Sequence, residues 1–120
     1  MNLYHIWANL RPGVKDLDFV DAVHAYLGYI QKQGHIASYR ITRRKFGFSP
    51  PGLMDFQIII ECENLQQLDD AFLLVATRDG EIEKLHGRVY GSVSEFASAL
   101  YRDFQDSVRK QTKLKTTREP

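Results

Sequence analysis

Residues 55–63 read DFQIIIECE, the densest run of β-branched side chains in the chain and one that still alternates. On a strand, successive side chains point to opposite faces. Phe56, Ile58, Ile60 and Cys62 therefore share one face, while Asp55, Gln57, Ile59, Glu61 and Glu63 share the other. The first set is apolar and suits a face covered by helices. The second is polar apart from one isoleucine. The pattern predicts a central strand, with the polar face as the place to look for chemistry.

Upstream of this strand, SPPG lies within a connection, GFSPPGLM, that turns the chain back. Before it, HIASYRITRRKF over 35–46 reads as a strand, with Ala37, Tyr39 and Ile41 on one side and Ser38, Arg40, Thr42 and Arg44 on the other. The two strands form a long-looped hairpin whose tip leaves Phe48, Leu53 and Met54 as apolar surface, to be covered by the core, a partner or a ligand. Residues 16–33 switch to helical period through Leu17, Val20, Val23 or His24, Leu27 and Ile30, with Asp16 as the expected N-cap and Gly34 as the stop. At the start, NLYHIWANL sets Tyr4, Ile6, Ala8 and Leu10 against Leu3, His5, Trp7 and Asn9, ended by Arg11-Pro12-Gly13.

Downstream, Asn64 with Gln67 resembles a capping box opening a helix to about Thr77. Ile82, Leu85 and Val89 suggest a shorter third helix to the neighbourhood of Gly91, with a loop or strand as the alternative. Residues 95–104, EFASALYRDF, form the fourth strand, with Ala97, Ala99, Tyr101 and Asp103 opposed to Phe96, Ser98, Leu100, Arg102 and Phe104. The basic end SVRKQTKLKTTREP is poor in apolar residues. The expected organisation is one domain over 1–106 and a basic tail over 107–120.

The chain has 120 residues, 43% hydrophobic and 26% charged, which is enough for one core. A formal net charge of +1 gives no general reason to expect nucleic acid or an anionic membrane. The single cysteine, Cys62, excludes an internal disulfide. No signal-like or spanning segment is visible, so a cytoplasmic location is the expectation. The four histidines and one cysteine show no metal-ligand spacing, and no phosphate-binding loop or nucleophile elbow occurs, so neither metal nor cofactor is assigned. Arg40, Arg43, Arg44 and Lys45 alternate sides, which fits an edge strand guarded by charge better than a nucleic-acid platform.

Strand, helix, strand, strand, helix, short helix, strand is the α+β split βαβ order. It predicts a ferredoxin-like four-stranded antiparallel sheet with helices on one face and the first and third strands in the middle. The other face would carry His5, Trp7, Asn9, Ser38, Arg40, Thr42, Gln57, Ile59, Glu61, Tyr101 and Asp103. Such a face, holding Trp7, Ile59 and Tyr101, suits burial against a second copy about a two-fold axis, forming a shared barrel.

On this element order over the first 104 residues, and on the histidine of the first strand in LYHIW, the chain resembles the dimeric α/β-barrel superfamily, in particular the stress-responsive α/β-barrel domain proteins. The resemblance implies a homodimer with a small-molecule ligand. It also brings a range of activities, from cofactor-free monooxygenases and polyketide cyclases to haem-handling proteins and members of no known activity. His5 corresponds to the first-strand histidine that some cyclase-like relatives use as acid or base. Trp7 and Asn9 are similar to groups that bind aromatic substrates in the monooxygenases. No second histidine falls on the same face, because His24 and His86 lie on helices and His35 on the helix-facing set.

Two functions follow. In the first, the homodimer binds a small molecule and carries out cofactor-free acid and base chemistry on an aromatic or polyketide-like compound. His5, Glu61 and Tyr101 would be catalytic, and Trp7, Asn9, Arg40, Gln57 and Asp103 would line the ligand site. In the second, the protein is a non-catalytic stress-associated or interaction protein. The same polar groups then form a network that serves only assembly.

Overall fold

A computed structural model describes residues 1–47 and 49–104; Phe48 and the basic tail lie outside the described residues. The elements are β1 (Asn2–Leu10), α1 (Asp16–Lys32), β2 (Ser38–Arg43), β3 (Phe56–Cys62), α2 (Leu65–Ala76), α3 (Gly80–Tyr90) and β4 (Val93–Arg102). They make one antiparallel sheet in the order β2-β3-β1-β4, with the first and third strands central. This is the ferredoxin-like α+β arrangement expected from the element order.

β3 alternates between buried and half-buried residues along its length, as its hydrophobic pattern requires. Phe56, Ile58, Ile60 and Cys62 are at most 7% exposed. They pack with Phe19, Val23, Leu27 and Ile30 of α1, Leu68 and Ala71 of α2, and Ile82 of α3. Phe19, fully buried, meets Phe56 edge to face at 5.0 Å between ring centroids. The partly buried Tyr4 and Ile6 of β1 pack against this cluster.

Several boundaries differ from those read in the sequence. Lys15, not Asp16, occupies the N-cap of α1, and no side chain caps it. Asp16 is the first helical residue, and its carboxylate pairs with Arg43 of the edge strand instead. At the other end, the Gly34 N–H donates to the Gln31 carbonyl and the His35 N–H to the Ile30 carbonyl, both at 3.0 Å. This is a Schellman closure, and Gly34 takes the left-handed φ of +81° that it needs. His35 is thereby used by the helix end, so β2 begins only at Ser38. It stops at Arg43 because Arg44 turns to organise the hairpin loop, donating to Ser49 Oγ (3.0 Å), the Leu53 carbonyl (3.2 Å) and Asp55 (2.9 Å). β4 starts two residues earlier than expected, at Val93, where it pairs with Leu10 across a register shift.

The start of α2 follows its sequence signature closely. Asn64 Oδ1 accepts the Gln67 N–H (2.8 Å), while Gln67 Oε1 accepts the N–H of Glu63 (2.8 Å). The third apolar segment is a helix. On β4, Val93 packs against the core and Tyr90 of α3 meets the Phe96 ring at 6.3 Å, while Phe96 and Leu100 stay about half exposed on the helical side.

Removing the Phe19 ring deletes the contact that joins α1 to the central strand. Phe19→Ala is expected to lower unfolding free energy by roughly 3–5 kcal/mol, measured as a shift in the urea midpoint at unchanged slope.

Candidate functional site

The open face of the sheet is organised in ranks by strand register. Ser38, Glu61, Leu3 and Tyr101 form one rank; Arg40, Ile59, His5 and Ala99 the next; Thr42, Gln57, Trp7 and Ala97 the third. The imidazole of His5 is the centre of this face. It stacks on Trp7 at 5.6 Å, meets the edge of Tyr101 at 4.7 Å, and its Nδ1 accepts from the Gln57 amide nitrogen at 3.0 Å.

The other expected site residues are engaged elsewhere. Glu61 Oε2 accepts from Ser38 Oγ at 2.8 Å and sits opposite Leu3, one rank away from His5. Asn9 donates to Glu95 (2.6 Å) and accepts from the Asp55 N–H (2.9 Å), so its amide ties the ends of three sheet segments together. Asp103 lies beyond β4, 3.5 Å from the amino group of Met1. Arg40 is exposed on the edge strand opposite Ile59. Of the other cations in the second strand, Arg43 and Arg44 are paired with Asp16 and Asp55. Leu53 and Met54 of the loop border a shallow recess of about 260 Å³ beside Trp7 and Gln57. Thus His5, Trp7, Gln57 and Tyr101 come together, whereas Glu61, Asn9, Arg40 and Asp103 stand apart from them.

A more enclosed space lies on the opposite side of the sheet. A cavity of about 280 Å³ runs between the helices and the strands, walled mainly by Ile, Leu, Val, Ala and Phe side chains of β1, β3, α1 and α2. Its polar groups are three tyrosines, Tyr4, Tyr26 and Tyr90, and one histidine, His86. Among the described residues, no Lys, Arg, Asp or Glu lines it. Tyr26 of α1 and His86 of α3 face each other with ring centroids 5.4 Å apart, and His86 stacks on Tyr90 at 6.0 Å. Burial, with a smaller contribution from Tyr4, pushes the Tyr26 phenol up to about 12. It is therefore a neutral hydrogen-bond donor at any physiological pH. Phe72, Tyr90 and Phe96, each about half exposed, surround the side of the cavity nearest β4.

Reading faces of strands misses His86 and Tyr26. The available signal is helical: Ile82, His86 and Val89 recur at i, i+4 and i+7, which places the histidine on the apolar stripe of α3. Among the described residues, no three of His, Cys, Asp and Glu lie close enough to hold a metal ion, and no helix is long and apolar enough to cross a membrane. Cys62 is buried at the end of β3, and burial raises its thiol.

Residues 1–115 match the model of a family described as a family of unknown function, DUF6614. No curated protein matches the sequence. Among solved structures, a protein of Arabidopsis thaliana superposes with a TM-score of 0.68 at 9% identity, over 86% of this chain and 95% of that one. A dimeric ferredoxin-like protein of unknown function from Jannaschia sp. CCS1 gives 0.63 at 9% identity, over 86% of this chain and all (100%) of the other. A DABB family protein with a ferredoxin-like fold from Mesorhizobium loti gives 0.58 at 14% identity, over 85% and 95%. At these identities the likeness is one of fold.

The raised Tyr26 phenol has a consequence for alkaline stability. An unfolded tyrosine loses its proton near pH 10 whereas the folded one holds it to about 12, so over that window the unfolded chain binds fewer protons. Stability contributed by the buried neutral phenol is complete below pH 10 and falls as pH rises to 12, by roughly 2–3 kcal/mol. Tyr26→Phe is expected to remove that part of the decline, measured by urea unfolding at pH 9 and pH 11.5 in both proteins.

Proposed function

We propose a function for this chain, which belongs to the family of unknown function DUF6614, from the cavity between its helices and its sheet: a homodimer that binds a small, uncharged, mostly apolar molecule there. The carrying observation is that a partly open space of about 280 Å³ is lined, among the described residues, without a single Lys, Arg, Asp or Glu. A carboxylate or ammonium buried in such a wall lacks a counter-charge, and its desolvation goes uncompensated. A carbonyl or hydroxyl group, by contrast, finds the Tyr26 phenol as donor and the His86 imidazole as donor or acceptor. The volume lies just below the range of ordinary ligand sites, about 300 to 1,000 Å³, which limits the ligand to a small molecule.

The same pair suits cofactor-free acid and base chemistry on an aromatic or polyketide-like ketone. His86 would take a proton next to the carbonyl, and Tyr26 would donate a hydrogen bond to the developing enolate oxygen. On the open face, Leu3, Trp7 and Ile59 are half-buried and Tyr101 is 56% exposed, which supports pairing with a second copy across the sheet. The Jannaschia protein is likewise described as dimeric. In this reading the chain groups with the dimeric α/β-barrel proteins, the stress-responsive type among them. His5 and Tyr101, with Trp7 and Gln57, then lie inside the shared barrel as a second candidate acid-base site, with Glu61, Arg40, Asn9 and Asp103 at its margin.

The alternative is a non-catalytic protein whose open face serves only assembly. It is favoured by Glu61 and Asn9, whose side chains already hydrogen-bond within the sheet.

Binding of an uncharged solvatochromic dye, followed by fluorescence, tests the cavity. Val89→Trp, which fills it, is expected to weaken binding by roughly tenfold or more, about 1.4 kcal/mol, with the circular dichroism spectrum unchanged. Equal binding by both proteins would move the ligand elsewhere. Sedimentation should show a dimer for the parent chain and a monomer for Ile59→Glu. A monomeric parent would exclude the shared barrel.

A further inference from the structure

Helix α3 carries a polar atom that the fold leaves unmatched. Oε2 of Glu83 is buried from solvent and has no hydrogen-bond partner among the described residues. Glu83 forms no ion pair there either, since the ion pairs are those of Met1, Arg43 and Arg44. A buried carboxylate oxygen without a donor is destabilising, and such an atom calls for a reason. The helix dipole does not provide one. Glu83 stands in the first turn of α3, where negative charge is favourable, but Glu81 supplies the same charge while remaining exposed.

One turn along the helix is His86, in the wall of the cavity. Its ring contacts are with Tyr26 and Tyr90. The histidine side-chain hydrogen bonds among the described residues belong to His5 and His24, so neither ring nitrogen of His86 has a partner there. Two unmet groups, an acceptor and an imidazole, thus lie three residues apart on one helix. At that spacing their Cβ atoms are about 5–6 Å apart, and rotation of the Glu83 side chain closes the remaining distance without moving backbone.

We propose that Glu83 is the positioning residue of His86: its carboxylate accepts the N–H of one ring nitrogen and so presents the other nitrogen, with its lone pair, to the cavity. A carboxylate selects the tautomer of a neighbouring imidazole in this way because only the protonated nitrogen can donate to it. The hydrogen bond would satisfy the buried oxygen and give the apolar cavity one oriented proton acceptor, with Tyr26 across from it as donor. The proposal rests on the reading of this cavity as a ligand site.

Long-range ¹H–¹⁵N spectra of the full chain, recorded without ligand, report the tautomer of each of the four histidines, and His86→Asn identifies the His86 signals. In the parent protein at alkaline pH the two His86 nitrogens are expected at well-separated shifts, one protonated and one not. Glu83→Gln should keep that separation, because its amide oxygen accepts the same N–H. Glu83→Leu should draw the two shifts together by tautomer averaging. Should the leucine variant fail to fold, Glu83→Met, of similar length, gives the same readout. Averaged shifts in the parent, or unchanged shifts in the apolar variant, would each overturn the proposal. This readout needs no ligand, so it fails separately from the dye experiment that tests the cavity.

Discussion

The antiparallel pairing of β1 with β3 is the constraint on which the rest of the molecule depends. Seven consecutive residue pairs, from Asn2 with Cys62 to Ala8 with Phe56, set both strands in a single register. Because side chains alternate, that register decides at once which groups meet helices and which meet the open face. A slip by one residue would bring Gln57 and Glu61 into the core and put Phe56, Ile58 and Ile60 outside. The burial of those apolar groups against Phe19 and Leu27 is what opposes the slip.

From this pairing follow two sites of opposite character. The open face gathers His5, Trp7, Gln57 and Tyr101 around one imidazole, in a setting that is polar and half exposed. The covered face encloses an apolar cavity in which Tyr26, His86 and Tyr90 are the polar contacts near its wall. The difference arises from the helices: they leave β4 largely exposed, so the layer is not filled evenly, and space remains between the strands and α1, α2 and α3. Phe96 and Leu100 belong to the covered face by alternation yet stay half exposed for the same reason.

Much of the architecture is legible from short-range chemistry. The alternation of residues 55–63, the Asn64 and Gln67 cap, and the helical spacing of Leu65, Leu68, Phe72 and Val75 all correspond to the observed elements, because each involves residues within one or two turns. Boundaries set by distant partners were not legible. Asp16 leaves the cap of α1 because Arg43, 27 residues away, attracts its carboxylate. His35 leaves the second strand because Gly34 closes the helix behind it. On the open face, the register between strands separated by more than 45 residues sets Gln57 and Glu61 one rank to either side of His5, and it is Gln57 that the imidazole meets.

The candidate site divides in the same way. Alternation alone places His5, Trp7, Gln57, Ile59, Glu61 and Tyr101 on one face, and the element order alone puts β1 and β3 at the centre, since both are consequences of backbone geometry and local pattern. Only the tertiary structure decides that Tyr26 and His86, 60 residues apart in the chain, face one another across an apolar space, because a cavity is the volume that packing between helices and sheet leaves unfilled. That volume depends on all the surrounding side chains together, and no single stretch of sequence carries it.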